Sequence, residues 1–172
     1  MDKKLHRDKL LQVLLLAYSG ELAAAYAYRG HWKSVKAPDE IAGIQKIERE
    51  EWVHRAGVGK MLEKMGQRPQ RFREAKMWLI GRTIGFLCHV TGWFFPMYFA
   101  GRLEHGNVKE YDVAAFHAGK LGLKDFQREL LKMSQTEKEH EDFFGSKVAD
   151  HPLLPWVKSL FLWGPPEKKT AE

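Results

Sequence analysis

Apolar residues recur at three- and four-residue steps along most of the chain, the spacing that puts side chains on one face of an α-helix. The first such face runs from about Lys4 to Trp32, and it is formed by Leu11, Leu14, Leu15, Tyr18, Ala25 and Tyr28. Strand signals are scarce, because the sequence has no long alternation of apolar and polar residues and no Asn-Gly or Asp-Gly turn. The pattern therefore predicts an all-α protein.

Helix-start and turn signals divide the rest of the chain. A second helix is expected from Pro38 to about Gly66, and a last long helix from about Leu123 to Asp150, after a turn at 119–122. Together with the helix that carries Val108 and Tyr111, these make four principal helices, which indicates a bundle. We expect the bundle to occupy residues 1–150 and an amphipathic C-terminal segment to occupy residues 151–172.

Helix lengths indicate how the second and third helices connect. The second helix continues for about 14 residues, or roughly 21 Å, beyond Glu51. A single antiparallel return helix over residues 70–104 would be about 50 Å long before it reached Glu104, far too long for its neighbour. A crossover connection over residues 67–85 resolves the mismatch, because it brings the third helix in parallel to the second.

Composition limits the chemistry. The 172 residues suit one domain, and 44% hydrophobic residues can build a core. A lone cysteine, Cys88, excludes an internal disulfide and any cysteine-rich metal cluster. Carboxylates and the eight histidines are then the remaining candidate ligands.

Two of the histidines have a glutamate three residues earlier, and each pair follows a further glutamate at a distance of 30 or 33 residues. Residues i and i+3 share a helix face, so each pair can direct a carboxylate and an imidazole at one point. Four carboxylates and two imidazoles from four helices can hold two iron or manganese ions, the ligand plan of ferritin-like proteins. The predicted metal ligands, which would also be the catalytic residues, are Glu21, Glu51, His54, Glu104, Glu137 and His140.

Neighbouring residues support this selection. Glu21 shares its helix face with Ala17, Ala24 and Ala25, so its charge would need a partner inside the bundle. Nearby glutamates lack the histidine at i+3, and we interpret them as surface charges or as partners of the ligands. These are Glu48, Glu50, Glu139 and Glu141.

The basic balance of the chain, a formal net charge of +6, favours an anionic partner. Aromatic residues in the crossover and third helix lie close in sequence to basic ones, which is typical of a surface that rests on a membrane. The uncharged stretch 83–101 is long enough for a span, but His89, Pro96 and three glycines favour burial or interfacial contact instead. An aromatic core with a charged rim is the alternative. The aromatic residues are Trp78, Phe86, Trp93, Phe94, Phe95 and Phe99, with Trp156, Leu160, Phe161 and Trp163 as a second contact; the basic ones are Arg68, Arg71, Arg73, Lys76 and Arg82.

Several segments resemble the demethoxyubiquinone hydroxylases. They are GELAAAYAYRGH around Glu21, EREEWVHRAG around Glu51, the glycine-rich apolar stretch that ends at Glu104, and QTEKEHEDFF around Glu137. The resemblance covers about residues 10–148. It implies a di-iron monooxygenase that hydroxylates the quinone ring of a polyprenylated precursor of ubiquinone while attached peripherally to a membrane. The expected location is the cytoplasmic side of that membrane, or otherwise the cytoplasm.

The resemblance also implies cofactors. Two iron ions would be held by the six predicted ligands, O2 would be the co-substrate, and a reduced nicotinamide would supply electrons. The sequence has no Gly-x-Gly-x-x-Gly dinucleotide fingerprint, so a nicotinamide site would be unconventional. Four tyrosines are candidates for supporting the ligands or moving protons. They are Tyr18, Tyr26, Tyr28 and Tyr111.

Two positions depart from the family pattern. Glu110 and Tyr111 stand where the family has a His-Tyr pair, and His31 replaces a glutamine. These changes leave the metal plan intact and leave the substrate open between a quinone and another lipid-like aromatic molecule.

Two other classes of protein fit the same residues. One is an iron-storage protein or rubrerythrin-like peroxidase, and the other is a non-catalytic helical protein of the membrane surface whose carboxylates are ion-paired. Nucleic-acid binding ranks last, because the basic residues are dispersed and no known binding module occurs. A homo-oligomer is compatible with all of these alternatives.

Overall fold

A computed structural model describes residues 3–165, and within that range the chain forms six α-helices and no strand. Four long helices form the bundle, a fifth connects its two halves, and a short sixth helix follows. They are α1 (Lys3–Ser34), α2 (Pro38–Lys64), α3 (Arg71–Leu87), α4 (Phe94–Lys120), α5 (Lys124–Val148) and α6 (Leu154–Phe161). The predicted all-α bundle, with a crossover between the second and third principal helices, is confirmed.

Contacts between α1 and α4 give the helix directions. Tyr28 of α1 contacts Glu104 of α4, and seven residues earlier on α1, Glu21 contacts Tyr111, seven residues later on α4. The two helices are therefore antiparallel. Since short connections also make α1 antiparallel to α2, the helices α2 and α4 run parallel, as the length argument predicts. The crossover helix α3 packs against α1.

Helix boundaries follow local signals in the sequence. Pro38 is the first residue of α2, and Asp39 and Glu40 place acidic side chains at the positive end of the helix dipole. Gly66 after α2 and Gly122 between α4 and α5 have φ angles of 72° and 74°, a backbone region that favours glycine.

The uncharged stretch 83–101 does not form one continuous helix. α3 ends at Leu87, Gly92 adopts a φ of 80°, and α4 begins at Phe94 with Pro96 in its first turn. Among the described residues, the one helix with the length and apolar composition to cross a membrane is α1, and 44% of its most apolar window is buried in the bundle. A buried core helix passes the same test of length and composition.

The core consists of two apolar clusters with a polar layer between them. On α1, the cluster that includes Leu10 and Leu14 ends at Ala17, and the other begins at Ala24. The same division recurs on α2, α4 and α5, and the predicted ligands fall between the two clusters on every bundle helix. The polar layer is therefore enclosed at both ends by packed apolar side chains.

The segment after α5 folds back onto the bundle. Trp163 is 4% exposed, and the Tyr98 hydroxyl donates a hydrogen bond to its carbonyl oxygen at 2.7 Å. Gly101 of α4 makes room for the indole ring, because a Cβ atom there would overlap it. Of the predicted segment 151–172, residues 166–172 lie outside the described range.

Candidate metal centre

The structure brings all six predicted ligands together in the polar layer. α1 supplies Glu21 and α4 supplies Glu104, while α2 and α5 each supply a Glu-x-x-His pair. None of these residues is more than 5% exposed. The convergence follows from helix geometry, since residues at i and i+3 point the same way and each pair lies opposite the other across the antiparallel pair α2 and α5.

The six residues form two overlapping groups, each compact enough to hold a metal ion. In each group, one possible ligand atom from every residue lies within 4.8 Å of the others. Glu51 and Glu137 belong to both groups, so each would contribute to the binding of two ions. The first group is Glu21, Glu51, His54 and Glu137, and the second is Glu51, Glu104, Glu137 and His140.

Several buried ligand atoms have no hydrogen-bond partner among the described residues. They include both carboxylate oxygens of Glu51 and one oxygen each of Glu21 and Glu137. Nδ1 of His140 is also without a partner and lies 3.4 Å from carboxylate oxygens of Glu51 and Glu137. Buried polar atoms without partners are costly, and a bound cation would satisfy them. The donor set therefore fits metal ions of the iron or manganese class.

Burial also shapes the electrostatics of the site. It raises the pKa of Glu21, and it raises the pKa of Glu51 and Glu104 well above the ordinary carboxyl value. Burial opposes ionisation of Glu137 too, but the neighbouring imidazoles of His140 and His54 hold its pKa below the ordinary value. Three of the four buried glutamates therefore resist ionisation, and two divalent cations would neutralise the charges of all four carboxylates.

Glu50 orients one of the histidines. The Nε2 atom of His140 donates to Glu50 at 2.9 Å, which leaves Nδ1 turned toward Glu51 and Glu137. A carboxylate on the far nitrogen is the usual way in which a ligating imidazole is held in one tautomer and orientation. The interpretation of Glu50 as a partner of the ligands is consistent with this contact.

The other three neighbouring glutamates contact other residues or are exposed. Glu48 accepts hydrogen bonds from Arg29 and Trp32, and Glu141 accepts one from Trp163 at 3.0 Å. Glu139 is exposed.

Two tyrosines contact Glu21 and Glu104, the glutamates that each belong to only one of the two ligand groups. The Tyr111 hydroxyl donates to Glu21, and the Tyr28 hydroxyl donates to Glu104. Asn107 donates to the second oxygen of Glu104 at 2.8 Å, a contact that the sequence did not suggest. Each tyrosine follows a glutamate of its own helix by seven residues but contacts the glutamate of the other helix, because α1 and α4 are antiparallel.

The other two candidate tyrosines do not contact the ligands. Tyr18 lies under the guanidinium of Arg55, 3.7 Å from the ring centroid, and Tyr26 packs edge-on against Trp52 and Trp78. Neither therefore supports a ligand directly, because Tyr18 packs against α2 and Tyr26 packs against α2 and α3.

A cavity of about 900 Å³ lies beside the site between α1, α3 and α4. Its wall is mostly apolar, and Glu21, Tyr28 and Tyr111 connect it to the ligand cluster. Half-exposed apolar side chains surround its outer part, so the cavity opens onto an apolar surface. These include Ile84, Leu87, Phe95, Phe99 and Leu103.

The aromatic residues predicted to contact a membrane divide into exposed and buried ones. Phe86 and Trp156 are 65% and 76% exposed. Phe94 is buried and stacks on His151 at 4.2 Å, and Trp163 is buried as well. These two residues support the core instead, which corrects their expected place at the surface.

Fold and site together define a helical bundle with a buried carboxylate and histidine cluster that could hold metal ions. The chain resembles proteins named 3-demethoxyubiquinol 3-hydroxylase. Those of Francisella tularensis subsp. novicida strain U112 and subsp. tularensis strain SCHU S4 are each 25% identical over 162 residues, or 92% of this chain and 72% of the relative. No protein-family model matches the chain. No solved structure matches it either.

Proposed function

We propose that this protein is a di-iron, O2-dependent monooxygenase that hydroxylates a quinone or a related lipid-like aromatic ring at a membrane surface. The observation that carries the proposal is the pair of overlapping ligand groups, which share Glu51 and Glu137 and contain unpartnered buried oxygens. The resemblance to relatives named as hydroxylases favours oxygenation over other uses of such a site.

The ligand set suits two iron ions. Glu21, Glu51, His54 and Glu137 would hold one ion, and Glu51, Glu104, Glu137 and His140 the other. Two ferrous ions bound there supply the electrons and open coordination positions that O2 reduction requires. Tyr28 and Tyr111 hold the carboxylates of Glu104 and Glu21 in place. Glu50 holds the imidazole of His140.

The cavity beside the ligand cluster is the proposed binding site of the substrate. A volume of about 900 Å³ is within the range of small-molecule sites, and its apolar wall suits a ring with a hydrocarbon tail. Packed apolar clusters on both sides of the ligand layer exclude water, which protects reactive oxygen chemistry from side reactions.

The exposed side of α3, the helix that forms one wall of the cavity, supports attachment to a membrane. Phe72, Leu79 and Phe86 recur at seven-residue steps along α3 and are 60–85% exposed, so they form one apolar stripe. Arg71, Lys76 and Arg82 on the same helix add positive charge that attracts anionic lipid. A lipid-like substrate could then pass from the bilayer into the cavity without crossing water.

The test is anaerobic loading with ferrous iron, followed by O2 exposure with a decyl-substituted methoxybenzoquinol and a reduced nicotinamide as electron source. We expect two iron ions per chain after loading. Mass spectrometry should show a product that is heavier than the substrate by one oxygen atom, and this atom should carry the isotope when the reaction uses isotopically labelled O2. Iron uptake with mineral formation or peroxide turnover alone would indicate the storage or peroxidase class. A protein that takes up neither iron nor manganese would show that the ligand cluster is not a metal centre.

A further inference from the structure

His31 is the buried polar residue of the cavity wall that the metal centre does not use. It lies on α1, is 2% exposed and lines the cavity. Its Nε2 atom has no hydrogen-bond partner among the described residues. A buried polar atom without a partner carries a desolvation cost, which a ligand with a matching polar group can remove.

The other polar groups deep in the cavity are already engaged. The Tyr28 hydroxyl donates to Glu104, the Tyr111 hydroxyl donates to Glu21, and Asn107 donates to Glu104. Glu21 keeps one free oxygen, but this oxygen belongs to the candidate metal centre. His31 is therefore a buried wall residue outside the ligand cluster whose Nε2 atom has no partner among the described residues.

Packing holds the imidazole of His31 in one orientation. Its ring stacks on Phe144 with a centroid distance of 5.8 Å and an angle of 9° between the planes, and it lies 6.5 Å from the ring of Tyr28. Burial lowers the pKa of His31 to about 4, so the ring is neutral at physiological pH and each nitrogen can either donate or accept one hydrogen bond. A neutral imidazole held in one orientation can form a hydrogen bond with a ligand oxygen at one position in the cavity.

We propose that His31 is a specificity-determining residue, whose Nε2 hydrogen-bonds an oxygen substituent of an aromatic or quinoid ring bound in the cavity. The proposal rests on the proposed function for the location of the substrate. The imidazole neighbours Tyr28, whose hydroxyl contacts Glu104, so a ring held at His31 lies next to the ligand cluster. The apolar wall accommodates a hydrocarbon tail but cannot distinguish an oxygenated ring from a plain one.

The test compares two ligands with the same tail in the full-length protein: a decyl-substituted methoxybenzoquinone and decylbenzene, which lacks ring oxygens. Binding is measured by calorimetry in one detergent, with and without loaded iron. We expect His31→Phe, which keeps a flat ring but removes the nitrogens, to weaken quinone binding about tenfold and to leave decylbenzene binding unchanged. His31→Gln, which retains a hydrogen-bonding amide, should recover most of the quinone affinity.

The matched control is His6→Phe, the same substitution at a buried histidine of the same helix that does not line the cavity. It should leave binding of both ligands unchanged. Equal losses for both ligands in His31→Phe, or a quinone loss in His6→Phe of the same size, would overturn the proposal.

A second measurement does not depend on the stability of His31→Phe. Nitrogen NMR of protein with labelled histidines gives this measurement, and the His31 resonance is assigned as the one that is absent from His31→Gln. We expect this resonance to shift when the quinone is added and not when decylbenzene is added. An unchanged resonance at saturating quinone would contradict the proposal. Failure of iron loading would overturn the proposed function alone, since the ligand comparison is also made without metal.

Discussion

At the scale of single residues, Glu137 and Glu104 differ in the number of ions that they would hold. Glu137 belongs to both ligand groups and Glu104 to one. We expect Glu137→Ala to weaken binding of both ions by more than about 100-fold, beyond the 10- to 100-fold that removal of an outer partner costs. Glu104→Ala should retain at least one ion. Metal analysis after anaerobic iron loading measures both outcomes.

The control for this prediction is Glu139→Ala, an exposed glutamate two residues away on the same helix, which should bind two ions. Full iron occupancy in Glu137→Ala would show that the ligand assignment is incorrect.

Glu50 gives a second prediction at this scale. Glu50→Gln replaces the carboxylate that accepts from His140 with a weaker acceptor of the same size, so the imidazole is held less firmly. We expect metal affinity to fall about tenfold with the protein still folded. Titration with cobalt as a spectroscopic probe measures this change. Glu63→Gln, at an exposed position of α2, is the matched control, and an equal loss there would refute a positioning role for Glu50.

At the scale of elements, glycines determine how closely the crossover approaches the bundle. A Cβ atom on Gly81 of α3 would overlap the backbone of Ala23, and one on Gly30 of α1 would overlap the backbone of Gly85. Backbone atoms cannot move aside as a flexible side chain can. The two helices can therefore pack this closely only with glycine at these contacts, and this packing forms one wall of the cavity.

We expect Gly81→Ala to destabilise the protein by about 1–2 kcal/mol, because the overlap outweighs the gain of about 1 kcal/mol in helix propensity. Urea unfolding measures the change. Gly106→Ala on α4 is the matched control, since a Cβ atom there meets nothing within 4 Å, and it should stabilise the protein by up to about 1 kcal/mol. Equal stabilisation by both substitutions would contradict the close approach of α3 to α1.

At the scale of the whole molecule, exposed aromatic side chains on α3 and α6 occur together with a net positive charge. Phe86 of α3 and Trp156 of α6 are well exposed, and the chain has a net charge of +6. We expect the protein to bind vesicles that contain anionic lipid and to bind less at high salt. Phe86→Glu and Trp156→Glu should each weaken binding about tenfold, since each removes an exposed aromatic side chain that would insert into the bilayer.

Sedimentation with vesicles measures this binding. Leu131→Glu, at a 49% exposed position of α5, places the same charge on a helix away from the crossover and should leave binding unchanged. Equal losses in all three variants would point to net charge alone, and no vesicle binding by the unaltered protein would refute membrane attachment.

The sequence by itself was sufficient for the architecture and for the six candidate ligands. Apolar periodicity predicts the helices because burial of one face stabilises them, and the i, i+3 spacing directs each Glu-His pair to one side. Helix lengths were enough to predict the crossover, since a neighbouring helix cannot extend far beyond its partner. Local rules of this kind depend only on neighbours in the chain.

The tertiary structure decided everything that depends on residues distant in sequence. Several contacts arise only when the helices pack. They are the hydrogen bonds of Tyr28 to Glu104 and of Tyr111 to Glu21, the contact of Glu50 with His140 and the burial of Trp163. The cavity likewise exists because glycine contacts bring α3 against α1 beside the ligand layer. The sequence shows His31 as a departure from the family pattern, but only packing leaves its Nε2 buried and without a partner among the described residues.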